Sequence, residues 1–360
     1  MSRLLPLLAL AALLAPAGAA AARKPPPKVP ASWIGVMADG PLLEQDAAAA
    51  DREWDLMRAN RVGFVRAAFN WRAIQPRRAT TDFSSTDGVV LTAAARGLRV
   101  LPVVLGTPAW AARKPRSDAS PPRRPRTYGR LLEALVARYG PSGTLWEENP
   151  YIKPQHIRHW QVWNEPNLAD YWSTQPFARS YVRLLKASRR ALRRADRRAR
   201  VVLAGLPNRS WVALREIYAA GGRGSFDAVA LHPYTSKVGH IVRLVRYARR
   251  EMRRAGDRRR PVWLTELSWP ASAGEAPDGP SFETDDAGQA RLLRRTFVAL
   301  ARKRRKLRIG RLAWYTWISA EGATRPTWAG YSGLRRVRDG ETISAPSLRA
   351  FRRTVARLRR

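Results

Sequence analysis

Short apolar runs alternate with amphipathic stretches along nearly the whole chain. Residues 34–37 (Ile34-Gly35-Val36-Met37) read as a strand. Residues 42–60 read as a helix, in which Leu43, Ala47, Ala50, Trp54 and Met57 recur at helical spacing. The same scheme repeats to the end of the sequence. Further strands are expected over 62–69, 98–105, 157–162, 201–206, 226–231, 262–265 and 312–318. Helices are expected over 89–96, 128–139, 177–197, 211–220, 241–254, 287–302 and 347–358. Residues 98–105 are almost continuously apolar, as in strands covered on both faces of a parallel sheet. Successive βα units with right-handed crossovers place every helix outside, so the pattern predicts an α/β fold, a single (β/α)8 TIM barrel. An open doubly wound sheet is the alternative. No Gly-x-Gly-x-x-Gly follows the first strand and no Walker-type loop is present to favour it. Two long polar connections, 112–126 and 141–155, are of the length that usually carries function.

The first 22 residues fall outside this alternation. Arg3, the apolar run 4–14 and the small residues Ala20-Ala21-Ala22 read as a secretory signal peptide. The mature protein is then expected to be secreted, extracellular or attached to the cell envelope. Residues 23–31 form a Pro/Lys-rich linker, extended and mobile. Residues 32–360, about 330 in number, are enough for one large barrel. No later segment is apolar for long enough to span a bilayer. The sequence has no cysteine, which excludes a disulfide framework and a thiolate metal site.

Charge adds little to the fold but bears on partners. Lys and Arg number 66 against 28 acidic residues, a formal net charge of +38, and nearly all of the excess is arginine. The arginines are spread over helical stretches such as Arg189-Arg190-Ala191-Leu192-Arg193-Arg194 and are not gathered in one domain. They read as solvated helix faces, with no specific nucleic-acid partner, although such a protein is drawn to anionic polymers. A basic rim would favour anionic glycans.

In a barrel the reacting groups stand at the carboxyl ends of the strands. Trp163-Asn164-Glu165-Pro166-Asn167 follows the fourth strand, and Thr265-Glu266-Leu267-Ser268-Trp269 follows the apolar run 261–264. Two carboxylates at two strand ends are what cleavage of a glycosidic bond requires, one to protonate the leaving oxygen and one ionised opposite the anomeric carbon. Trp163 and Pro166 would shield Glu165, which favours the protonated form of a general acid. Glu266 should stay anionic, held so by Arg66 or Tyr234. Strict strand alternation would turn Asn164 away from Glu165, so the pleat must end or bulge there. Trp110 and Trp317 are candidates either for stacking on a sugar ring or for filling the barrel core. His232, in His232-Pro233-Tyr234, is a candidate to hydrogen-bond sugar or Glu266. The four histidines form no spaced ligand set, so no metal and no cofactor are expected. Glu283, Asp285 and Asp286 precede the 287–302 helix and are read as its N-terminal charges.

With Glu165 after an Asn on strand four and Glu266 ending strand seven, the chain resembles the retaining glycoside hydrolases of clan A over residues 32–360. Trp163 to Asn167 together with Gly106-Thr107-Pro108-Ala109-Trp110 is most similar to glycoside hydrolase family 39 and its cellulase-like relatives. Family 5 is the nearest alternative, but its members commonly carry a histidine at the end of strand three, where this chain has Gly106 and Thr107. Many family 39 enzymes add a β-sandwich after the barrel, and here the sequence stops after the eighth helix. The resemblance implies that Glu165 is the acid/base, Glu266 the nucleophile, and Asn164 the partner of the sugar hydroxyl beside the anomeric centre. It implies double displacement on an oligo- or polysaccharide, with Arg66, Trp110, His232, Tyr234 and Trp317 around the sugar. Two other classes fit the same features: a noncatalytic carbohydrate-binding barrel and a basic cell-surface polyanion-binding protein.

Overall fold

The alternating runs close into a barrel. The computed structural model describes residues 27–38, 40–276, 279–321 and 327–359; the signal peptide expected over 1–22 lies outside them. In chain order the elements are β1 (Ile34–Ala38), α1 (Ala47–Ala59), β2 (Phe64–Asn70), α2 (Trp71–Ile74), α3 (Ser84–Ala95), β3 (Arg99–Leu105), α4 (Pro125–Tyr139), α5 (Thr144–Glu148), β4 (His159–Val162), α6 (Ala178–Ala195) and β5 (Arg200–Val202). They continue with α7 (Ser210–Ala219), β6 (Val229–Leu231), α8 (Val238–Arg254), β7 (Val262–Leu264), α9 (Asp286–Leu307), β8 (Ile309–Trp314), β9 (Ile318–Ala320), β10 (Arg335–Arg338), β11 (Glu341–Ser344) and α10 (Pro346–Arg359). The first eight strands form one parallel sheet in the order β5-β4-β3-β2-β1-β8-β7-β6. Bridges Val202 to Ala228 and Leu206 to Leu231 bring its two edges together and complete the (β/α)8 ring.

Period-two alternation divides the strand residues between two cores. Val65, Ala67, Val104, Val162, Leu264 and Leu312 face the helix layer and join the large cluster beneath it. Phe64, Leu101, Val202, Ala228, Ala230, Trp263 and Ala313 form a separate cluster that fills the barrel. Gly35 is required there, because a Cβ on it would lie 2.5 Å from the Phe64 ring. Helix faces follow their sequence: in α6, Tyr181, Val182, Leu184, Leu185 and Leu192 are buried while the arginines lie mostly outward.

Two readings near the amino terminus differ from expectation for local reasons. α1 begins at Ala47 because the Asp46 carboxylate accepts from the Ala49 amide at 2.8 Å, capping the first turn. Leu43 precedes that cap and is 46% exposed, so it belongs to no helix face. In the segment read as a linker, Val29 is buried and its amide donates to the Leu358 carbonyl, docking it against α10.

The largest departure follows β8. This strand ends at Trp314, and the chain turns away through the cis peptide Tyr315–Thr316. β9 then pairs with β10, which pairs with β11, in a separate three-stranded sheet. Trp317 therefore does not end the eighth barrel strand. It is fully buried, and its indole Nε1 donates to Glu53 on α1 at 2.9 Å. Arg335 of β10 binds the same carboxylate at 2.8 Å.

At the amino-terminal mouth, opposite the glutamates, His159 lines an open cavity of about 610 Å³ with its ring 5.2 Å from that of Trp263. Burial and the nearby Arg311 guanidinium hold its pKa down at about 4. Below the ordinary histidine value of about 6.5 the unfolded chain takes up a proton that the folded chain refuses. Stability should therefore fall as pH drops from about 6.5 to 4, by at most about 3 kcal/mol for this group. The thermal midpoint of His159→Phe, followed over that range, should fall less steeply than that of the parent chain. Parallel slopes would refute this role.

Candidate active site

The polar layer of the barrel lies two positions beyond its apolar layer. Arg66 follows Phe64, His232 follows Ala230, Thr265 follows Trp263 and Tyr315 follows Ala313, each with the same parity and so on the same interior face. Gln161 occupies the matching place on β4, and its side chain reaches Arg66 and Thr265.

The pleat does end before the glutamate. β4 stops at Val162, and Trp163 and Glu165 both take positive φ, +70° and +41°. Trp163 turns into the helix layer, where it is buried against Trp172 at 5.1 Å between ring centres. This reversal lets Asn164 and Glu165 both border the interior. The Glu165 amide is fixed by the Gly205 carbonyl at 3.2 Å.

Arg66, 1% exposed, is the hub of the site. Its Nη1 donates to Glu266 Oε1 at 2.6 Å, its Nη2 to Asn164 Oδ1 at 2.9 Å, and its Nε to Gln161 Oε1 at 2.8 Å. With its carbonyl oxygen engaged, Asn164 presents its amide NH₂ as the group to donate to a ligand. Tyr234 donates its hydroxyl to Glu266 Oε2 at 2.8 Å.

His232 joins the two carboxylates from below. Its Nδ1 lies 2.6 Å from Glu165 Oε1 and 3.4 Å from Glu266 Oε2, and its Nε2 lies 3.0 Å from Thr265 Oγ1. Gln161 Nε2 donates to that same hydroxyl at 3.3 Å. Every group is satisfied if Thr265 donates to Nε2 and the Nδ1–H edge faces the carboxylates. The ring fits only because residue 205 is glycine: a Cβ there would lie 1.8 Å from His232 Nε2.

Glu266 is held in its ionised form. Burial alone would push its carboxyl up, but the positive edge of His232, the Arg66 guanidinium and the Tyr234 hydroxyl outweigh burial and bring it below the ordinary value. Ligand atoms of Glu165, His232 and Glu266 all lie within 4.8 Å of one another, a cluster that could in principle hold a cation. Arg66 already supplies the positive charge at 2.6 Å, and a cation there would meet it at close range.

The two glutamates, Arg66, Asn164 and Tyr234 line one cavity of about 190 Å³. Of the residues expected around a sugar, three do not border it. His232 is fully buried beneath Glu165 and acts on the carboxylates, not on a ligand. Trp317 is in the core beside Glu53. Trp110 lines a different depression, with its Nε1 donating to the Gln75 carbonyl at 2.9 Å. The cavity wall is instead made by Tyr171, Tyr315 and Trp328. Trp328 packs edge-on to Tyr234 at 5.1 Å, and Phe282 stacks on Tyr234 at 5.6 Å. Tyr171, Phe282 and Trp328 lie in stretches without helical or strand period, whereas Tyr315 falls within the run 312–318 that reads as the eighth strand. Asp285 accepts from the Gly288 amide and caps α9, as expected, while Glu283 folds back on Ser272 at 2.8 Å.

No protein-family model and no curated protein matches the chain. Solved structures do. A family 39 glycoside hydrolase from Bacteroides cellulosilyticus aligns over 91% of this chain at a TM-score of 0.63 and 16% identity. The chain spans 64% of the length of that protein. A monomeric β-xylosidase from Caulobacter crescentus aligns over 92% of this chain and 69% of its own, at 0.64 and 18%. A family 5 glycoside hydrolase from Bifidobacterium longum subsp. infantis aligns over 90% and 78%, at 0.64 and 16%. In fold, the chain is a (β/α)8 barrel of the kind found in glycoside hydrolases of families 39 and 5.

Proposed function

We propose that the chain is a secreted retaining O-glycoside hydrolase that needs no cofactor, with Glu165 as acid/base and Glu266 as nucleophile. The observation that carries this reading is that one oxygen of Glu165 and one of Glu266 lie within 4.8 Å of each other in one cavity. Carboxyl groups about 5–5.5 Å apart suit a covalent intermediate, whereas about 6.5–9.5 Å leaves room for an intervening water.

In the first step Glu266 attacks the anomeric carbon, the bond to the leaving oxygen breaks, and Glu165 gives that oxygen its proton. In the second, Glu165 takes a proton from water, the hydroxide attacks the anomeric carbon, and the bond to Glu266 breaks. Asn164 donates to the adjacent sugar hydroxyl, a contact that strengthens at the transition state. Trp328 and Tyr315 offer apolar surface to the ring. At about 190 Å³ the cavity falls below the ~300 Å³ of ordinary ligand pockets, which suits one sugar unit at a chain end. Secretion rests on the signal-like residues 1–22.

The test is the anomer first formed during hydrolysis, followed by NMR across a panel of glycosides. Retention upholds the reading; inversion, or no cleavage of any glycoside by the folded protein, overturns it. The pH profile gives a second check. Because Glu266 is held ionised, the acid limb of kcat/KM should lie below the ordinary glutamate value of about 4.3. In Arg66→Met, which removes one cause of that depression, the limb should move upward.

A further inference from the structure

At the carboxyl end of the barrel, where the carboxylate cavity also lies, is a groove lined by a separate set of residues. Two depressions of about 250 and 300 Å³ share Arg78, Trp110, Thr127 and Arg130, and Arg123 and Arg124 extend the first. No carboxylate lines either one. Among the described residues, none of these four arginines forms an ion pair, although this acid-poor chain pairs Arg66, Arg138, Arg335 and Arg336 with carboxylates. Convergent like charges oppose folding, and a bound anion relieves that repulsion. Trp110 is rigidly placed, bonded to the Gln75 carbonyl and packed edge-on to Trp71 at 5.7 Å, and the rest of its indole lines both depressions.

Position links the groove to the glutamates. Its lining comes from the β2–α3 and β3–α4 connections and the first turns of α4, all at the carboxyl end of the barrel. The β3–α4 loop is also tied to the segment that bears Tyr171, by the Ser173 amide on the Ala119 carbonyl at 2.8 Å. Tyr171 lines the catalytic cavity.

We propose that this groove is a distal subsite for a glycan bearing carboxylates, a uronate-containing chain whose end enters the glutamate cavity. The arginines pair with the uronate groups and Trp110 stacks on a sugar ring. The assignment of the chain end rests on the glycosidase reading; the binding chemistry of the groove does not.

The experiment measures calorimetric binding of trigalacturonate, galactotriose and an oligothymidylate to the full chain, together with hydrolysis of neutral aryl glycosides. Arg124→Gln/Arg130→Gln and Trp110→Ala are compared with Arg305→Gln/Lys306→Gln, a charge-matched change on α9. Trigalacturonate should bind at least about tenfold tighter than galactotriose, and each groove variant should lose about tenfold while the α9 variant loses less than about twofold. Equal losses in the α9 variant would reduce the effect to diffuse charge and overturn the proposal. Tighter groove-dependent binding of oligothymidylate would assign the groove to nucleic acid and overturn it too. Groove-dependent uronate binding without hydrolysis of any glycoside would uphold the subsite and sink the hydrolase. Hydrolysis without groove-dependent binding would do the reverse.

Discussion

Glu266→Gln should lower kcat by about 10⁴-fold or more, because in the proposed double displacement it removes the group that carries the covalent bond between the two steps. The amide keeps the shape of the carboxylate, so Arg66 and Tyr234 still find an oxygen or nitrogen opposite them. Charge is what changes. Arg66, 1% exposed, would be left with neutral partners: the Asn164 and Gln161 oxygens, the Met37 sulfur and the amide. Removing one partner of a buried pair costs about 3–5 kcal/mol, so the thermal midpoint should fall as well. The two effects separate experimentally. At a temperature where circular dichroism shows the variant folded, lost stability accounts for almost none of the lost turnover. Turnover within tenfold of the parent chain under those conditions would remove Glu266 from the nucleophile's role.

The two glutamates were legible because each follows an apolar run, and strand ends are where a barrel keeps its chemistry. The interior polar layer was legible in principle through parity: Phe64 and Arg66, or Trp263 and Thr265, are two apart on one face. Gln161 obeys the same rule, but one amide in an apolar strand carries no motif. The three-stranded sheet was not legible. Arg335-Arg336-Val337-Arg338 and Glu341-Thr342-Ile343-Ser344 show little apolar alternation, and their strand state comes from pairing with β9. That misreading carried Trp317 with it. An indole placed at a barrel rim by extending β8 lies instead behind the turn, where Glu53 satisfies its N–H. Trp328 could take its place in the cavity only through the fold of the segment after β9, for which periodicity offers no guide.

His232 shows how much a site depends on residues that touch no ligand. Its ring occupies the space left by the missing side chain of Gly205, and Thr265 and Gln161 fix its far edge. The near edge then lies between the two carboxylates, 2.6 Å from one and 3.4 Å from the other. Because it approaches Glu165 more closely, its first effect is to aim that carboxylate, whereas the sequence suggested a sugar or Glu266 as its partner. Both glutamates thus share one support while differing in their other partners. Glu266 alone receives Arg66 and Tyr234.

That asymmetry sets the second large effect. In the proposed double displacement, Glu165→Ala removes the proton donor of the first step and the base of the second but leaves Glu266 held by Arg66 and Tyr234. Glycosides with basic leaving groups should lose about 10²–10⁴-fold in kcat/KM, since their oxygen cannot depart unprotonated. Dinitrophenyl glycosides leave without a proton, so their kcat/KM should change little. Their kcat should still fall, because the glycosyl-enzyme accumulates when no base activates water, and KM should fall with it. Azide needs no base. Adding it should restore turnover and yield a glycosyl azide of retained configuration, since it attacks the same covalent intermediate from the face that water uses. Equal losses for both leaving groups, or an azide product of inverted configuration, would show that Glu165 is not the acid/base of a double displacement. The small alanine also leaves His232 Nδ1 without its closer carboxylate, 3.4 Å from Glu266. Glu165→Gln, which keeps an oxygen in that place, should reproduce the leaving-group dependence if proton transfer, and not the position of His232, is what the substitution removes.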